Sequence, residues 1–163
     1  MTAVTEYLHG LAGRLTADGC WVRTERWGAQ DVLLGHRSDF RWEWFATNLH
    51  LFTVATAAEE VTQQDIAAFT DHAWDHMLAR KGQLRGLQTA VAVLPCLVGT
   101  RVAPDAAAWA AAQQRLRFAT FARPVVVDTT ARSIAAFTGR VTVGGSYNTH
   151  LIDKLRSYFP GVA

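Results

Sequence analysis

Residues 87–99, Leu-Gln-Thr-Ala-Val-Ala-Val-Leu-Pro-Cys-Leu-Val-Gly, form a nearly continuous apolar run. With no alternation of polar positions, the run predicts a central strand buried on both faces. Pro95 conflicts with a regular ladder there, because it has no N–H to donate. A bulge or the strand's end is expected at that point. A strand of this kind needs other elements packed over it, and the rest of the chain offers helices for that purpose.

Four helical segments are expected. In residues 3–17, Val4, Leu8, Leu11 and Leu15 recur at helical spacing, and Gly19 follows as a stop. Gly10 and Gly13 lie inside, each costing about 1 kcal/mol of helix stability relative to alanine, so a close approach of another element is expected there. The second helix starts at Thr62, a good N-cap, with Asp65 three residues later in a capping-box pattern and with Val61 and Ile66 at the staple positions. Ile66, Phe69, Ala73 and Met77 make its stripe. Arg80 and Lys81 suit its negative end, and Gly82 ends it. Residues 103–116 predict a third helix with Pro104 in its first turn and Trp109, Ala112 and Leu116 on one face. A short last helix carries Leu151, Leu155 and Tyr158 and stops at Pro160.

Between the first two helices, residues 20–55 are rich in Trp, Val, Leu, Phe and Thr. Breaks at Gly28, Gly35 and Ser38 predict three or four short strands. Within them, Phe40, Trp42 and Trp44 alternate with Arg41, Glu43 and Phe45. The second set is expected to line a pocket, with Arg41 paired to Glu43 and Phe45 as an apolar wall. Residues 123–137 predict a hairpin turning through Thr129–Arg132. The order α-βββ-α-β-α-ββ-α gives an α+β class: one domain over residues 1–163, with a mainly antiparallel sheet covered by three to four helices. No internal repeat or linker interrupts it.

Composition narrows the function classes. The 163 residues are 50% hydrophobic and 18% charged, which suits a globular chain with a full core. A net charge of +2 is too mild to point to nucleic acid. Lys81 and Lys154 are the only lysines, and a preference for arginine together with abundant alanine is first a codon effect. Two cysteines, Cys20 and Cys96, make no disulfide framework. The N-terminal stretch lacks the marks of a signal peptide, and no apolar run approaches the roughly 18 residues that span a bilayer. A soluble cytoplasmic protein is expected.

The chemical candidates are sparse. His72 and His76 stand four apart on the second helix, a spacing that lets both imidazoles reach one ion. Ala73 occupies the place where zinc proteases carry their general base, and a third ligand would have to come from Glu43, His50 or Asp128. Both histidines fall on the edge of the apolar stripe, so they are expected to border the buried face and hold no metal. Gly144-Gly145-Ser146 precedes a helix but lacks the lysine of a phosphate loop and the closing glycine of a nucleophile elbow. Ser146 or Asn148 is expected to cap that helix. An acidic-strand nuclease would use Asp31, Asp39 and Glu43 with a nearby lysine, and Phe45 stands where that lysine belongs. Six tryptophans suit core packing, since each buries a large area.

No nucleophile–base pair, metal set or cofactor loop is complete. The expectation is a binding or interaction protein without a cofactor, self-associating as a homodimer through a sticky apolar surface. The alternative is a small enzyme whose groups, Arg41, Glu43, His50, His72, His76 and Asp128, converge in three dimensions. The same residues with Phe45 are the candidate ligand-binding set.

Overall fold

Thr2 accepts a hydrogen bond from the Thr5 N–H at 3.2 Å and so opens helix α1 (Ala3–Ala17), which stops before Gly19, where φ is +82°. The computed structural model describes residues 1–81, 89–117 and 120–163. Strands β1 (Trp21–Trp27), β2 (Gln30–Arg41) and β3 (Thr47–Ala57) follow as an antiparallel meander turning first at Gly28. A short strand β4 (Glu60–Val61) leads into helix α2 (Gln63–Lys81), which crosses over to β5 (Thr89–Gly99). Then come β6 (Arg101–Val102), α3 (Pro104–Ala112), β7 (Arg115–Arg117), β8 (Thr120–Ala122), β9 (Val125–Asp128), β10 (Ser133–Ala136) and helix α4 (Asn148–Tyr158).

The α+β class holds, with four helices packed over an eight-stranded, mostly antiparallel sheet among the described residues. The path runs β1-β2-β3-β5-β8-β7, and the β9–β10 hairpin continues the sheet beyond β5. Within this sheet the described pairing is parallel around β5, with β3, β8 and β9, the β3–β5 pair because α2 returns the chain to the same end of the sheet before β5 begins; β4 and β6 pair in parallel as a separate two-stranded sheet. Helices α1 and α4 cover one face and α2 and α3 the other. Strand β5 sends Ala92, Leu94, Cys96 and Val98 into the first layer and Val91, Val93 and Leu97 into the second. The apolar run is therefore buried on both faces, as its lack of alternation predicts.

Several local expectations change. Pro95 does not end its strand; β5 runs straight through it, and the interruption falls on the neighbour instead. The Arg123 N–H donates to the Val93 carbonyl at 2.9 Å. In a parallel ladder the Arg123 carbonyl would be answered by the N–H of residue 95, which proline lacks. Opposite that missing donor the chain breaks between β8 and β9, at Arg123–Pro124.

Gly35 and Ser38 do not break β2. The close approach expected at Gly10 and Gly13 occurs at Gly35, where a Cβ would stand 2.9 Å from Leu15 Cδ1; Gly13 faces open space. Strand alternation stops at Arg41, and Trp42–Trp44 form a 3-10 turn that buries Trp44 and leaves Trp42 exposed. Helix α3 ends at Ala112 and packs through Ala106 and Ala110, while Leu116 lies exposed on β7. Tyr147, in a helical conformation and with no side-chain bond, holds the N-cap position of α4 that Ser146 or Asn148 was expected to fill. The expected stop of α2 at Gly82 lies outside the described residues.

Candidate functional site

Where α1 passes the ends of β9 and β10 the surface opens into a groove of about 510 Å³. Its apolar floor includes Val127 and Ile134, and its polar lining comes from Tyr7 and Arg14 with Glu6, Asp128, Arg132 and Ser133 at the rim. Tyr7 and Arg14 are seven residues apart on α1 and therefore share a helix face. Gly10 lies between them, and a Cβ there would stand 3.1 Å from Arg14 Nη1. Glycine leaves room for the guanidinium to lie back along the helix, with Cζ 5.2 Å from the centre of the Tyr7 ring.

Arg14 is fixed at one edge by its Nε donating to the Tyr158 carbonyl at 2.7 Å. Its Nη2 is shielded from solvent with no partner among the described residues, and so is the Tyr7 hydroxyl. Two withheld donors in one groove are unusual, since a buried polar group without a hydrogen bond typically costs about 1–3 kcal/mol. Burial pushes the Tyr7 hydroxyl above the ordinary phenol range; the neighbouring Cys96 adds to this and Arg14 opposes it. The hydroxyl therefore stays protonated and donates. An acceptor with negative charge fits both groups.

The carboxylates at the rim do not fill that role. Asp128 Oδ1 accepts from the N–H groups of Thr130 at 2.9 Å and Ala131 at 2.8 Å, and Oδ2 accepts from Val102 at 3.2 Å. It shapes the hairpin turn, in which Arg132 takes a φ of +53°. Glu6 forms no ion pair with Arg14 among the described residues.

The other candidates from the sequence stand elsewhere. His72 and His76 come together, with ring centres 5.6 Å apart, and both pack on Trp27, His76 stacked at 4.0 Å and His72 edge-on at 5.3 Å. Burial, helped by Arg80 and His72 and opposed by Glu25, holds His76 below its ordinary value. His50 meets His36 across the β2–β3 pair, Nδ1 to Nε2 at 3.0 Å, an interaction in which one imidazole donates to the other. Burial lowers the pKa of both, and His50 adds to the effect on His36. Arg41 lies over the Trp44 ring, 5.1 Å from its centre, with no ion pair to Glu43, and Phe45 is 85% exposed at a left-handed φ of +55°. Phe45 therefore walls no Arg41–Glu43 pocket; the 3-10 turn after Arg41 ends the alternation that would have built one. Among the described residues no three His, Cys, Asp or Glu side chains gather as a metal set.

Of the candidate set only Asp128 reaches the groove. Tyr7 and Arg14 were not singled out from the sequence, although polar side chains seven apart beside an apolar stripe, with a glycine between them, are a readable sign. In comparisons with known proteins, no family model and no curated protein matches the chain.

Proposed function

We propose that the protein binds a small organic acid, taking its carboxylate in the groove between α1 and the β9–β10 hairpin. The observation that carries this reading is the pair of solvent-shielded, unpartnered donors, Arg14 Nη2 and Tyr7 OH, on two residues that line one cavity. The apolar floor of Val127 and Ile134 suits a hydrocarbon body. No histidine or cysteine lines the groove, and Asp128 is occupied by backbone N–H groups, so the reading is binding without turnover. Both thiols are unbridged, which favours a reducing compartment such as the cytoplasm. No helix among the described residues is long and apolar enough to cross a membrane.

Titration calorimetry with a panel of aliphatic and aromatic monocarboxylates tests the proposal. At least one class should bind, and Arg14→Met and Tyr7→Phe should each weaken it about tenfold or more. A panel that shows no binding, or binding indifferent to both substitutions, would sink the reading.

A further inference from the structure

The break between β8 and β9 puts an arginine into the core. Arg123 follows Phe121 on the face of the sheet that α4 covers, and it is 1% exposed. Its guanidinium is held by two neutral amides: Nε donates to Gln114 Oε1 at 2.9 Å, and Nη2 donates to Asn148 Oδ1. The Phe137 ring lies 5.4 Å from Cζ. Nη1 has no hydrogen-bond partner, and no carboxylate pairs with the group, among the described residues. Burial lowers its pKa only to about 10, so it carries its charge at neutral pH.

A second positive feature meets it. Asn148 is the first residue of α4, an 11-residue helix with no side-chain cap that continues from a 3-10 turn at Gly145–Tyr147; its own N–H donates to the Gly145 carbonyl, and the positive end of the helix dipole adds to the guanidinium charge. Asp39 faces that first turn through His150, at 3.4 Å, but both of its oxygens are already held by Arg37. Two amides and an aromatic ring surround the charge, while a buried ion is strongly disfavoured without a counter-charge.

We propose that Arg123 and the uncapped first turn of α4 form a buried site for a phosphate-sized inorganic oxyanion. The free Nη1 donor and the positive end of the helix suit an anion, whose further oxygens can replace the amide acceptors of Nε and Nη2. The segment over the site is tethered by the same two amides, through long bonds: Gln114 Nε2 to the Val143 carbonyl at 3.3 Å and Asn148 Nδ2 to the Gly139 carbonyl at 3.2 Å. An ion can enter when these two weak contacts part. The site is separate from the α1 groove and stands on its own observations.

The experiment is thermal unfolding in inorganic phosphate at constant ionic strength, for the wild-type protein, Asn148→Asp and Arg14→Met. Wild type should show a saturable rise in midpoint of roughly 2–4 °C. Asn148→Asp supplies a carboxylate beside Arg123 Nη2 and the helix start. It should melt higher than wild type without phosphate and no longer respond to it, whereas Arg14→Met should still respond. Phosphorus NMR of the wild-type protein reads binding independently of any variant, as saturable broadening of the phosphate resonance. A flat wild-type response in both measurements overturns the proposal. So does a response that survives Asn148→Asp and disappears in Arg14→Met, which would place the ion in the α1 groove.

Discussion

Thr62 and Asp65 satisfy each other at the start of α2: the Asp65 N–H donates to Thr62 Oγ1 at 3.1 Å and the Thr62 N–H donates to Asp65 Oδ2 at 3.0 Å. Val61 and Ile66, the staple pair, are both fully buried. Everything needed lies within six residues, which is why this helix start is readable from sequence. Replacing Thr62 by alanine is expected to destabilise the fold by about 1 kcal/mol, seen as a midpoint lowered by roughly 3 °C in a thermal melt. An unchanged midpoint would mean that α2 does not depend on this cap. Arg14 is the opposite case. Its importance depends on the Tyr158 carbonyl, 144 positions away along the chain, which fixes one edge of the guanidinium and leaves another without a partner. No local pattern carries that.

At the scale of elements, α1, β2 and α4 are joined by a charged clasp. Lys154 Nζ donates to both oxygens of Asp18 at 2.8 and 2.9 Å, the Tyr158 hydroxyl donates to Asp18 Oδ2 at 2.6 Å, and Arg37 Nη1 stands 2.9 Å from the same oxygen. Arg37 also grips Asp39 through Nε at 2.6 Å and Nη2 at 2.7 Å. Burial works against the Asp18 charge, but the bonds from Lys154 and Tyr158 outweigh it and hold the carboxyl below its ordinary value of 3.8. The bonds from Arg37 do the same for Asp39 against its burial. Because both folded-state values are depressed, the clasp contributes fully above pH 3.8, and that contribution is lost as the pH falls from there through the folded values. Thermal melts from pH 6 to pH 2 should therefore show the midpoint falling steeply below about pH 4. Asp18→Asn should lower the neutral-pH stability by roughly 2 kcal/mol and flatten the acid limb. An acid limb as steep as that of wild type would show that Asp18 is not one of the groups responsible. The helices follow from periodicity, while β7 and β8 escape it because three-residue strands are too short to show a period.

Across the whole molecule, exposed aromatic residues gather at the β2–β3 turn, while Trp21 on β1 is also 58% exposed. Trp44 and Trp74 are buried, while Phe40, Trp42 and Phe45 at the β2–β3 turn are 47%, 79% and 85% exposed. From this exposed apolar cluster on a mildly charged chain we predict self-association. A second copy is the expected occupant. Light scattering at high concentration should give a dimer, and a Trp42→Lys, Phe45→Lys double variant should shift it to monomer. A wild-type monomer, or a dimer untouched by the double variant, would contradict this.

What the amino-acid order determines here is whatever has a short repeat or a local partner. The stripes of α1, α2 and α4, the cap of α2, the turn at residues 129–132 and the two-sided burial of β5 all follow from contacts a few residues long or from the absence of polar alternation. The tertiary structure decides where lone polar side chains end up, because their partners come from distant elements. Pro95 moves its defect onto the neighbouring strand, Gly35 rather than Gly10 admits another element, and Arg123 enters the core beside α4. The histidines at 72 and 76 become a clamp on Trp27 because β1 happens to pass beneath α2, and the donors of Tyr7 and Arg14 form a groove only once the β9–β10 hairpin closes it. Apolar residues drive burial without regard to partner, so their pattern survives in one dimension; hydrogen bonds and charges are directional and pairwise, so their outcome exists only in three.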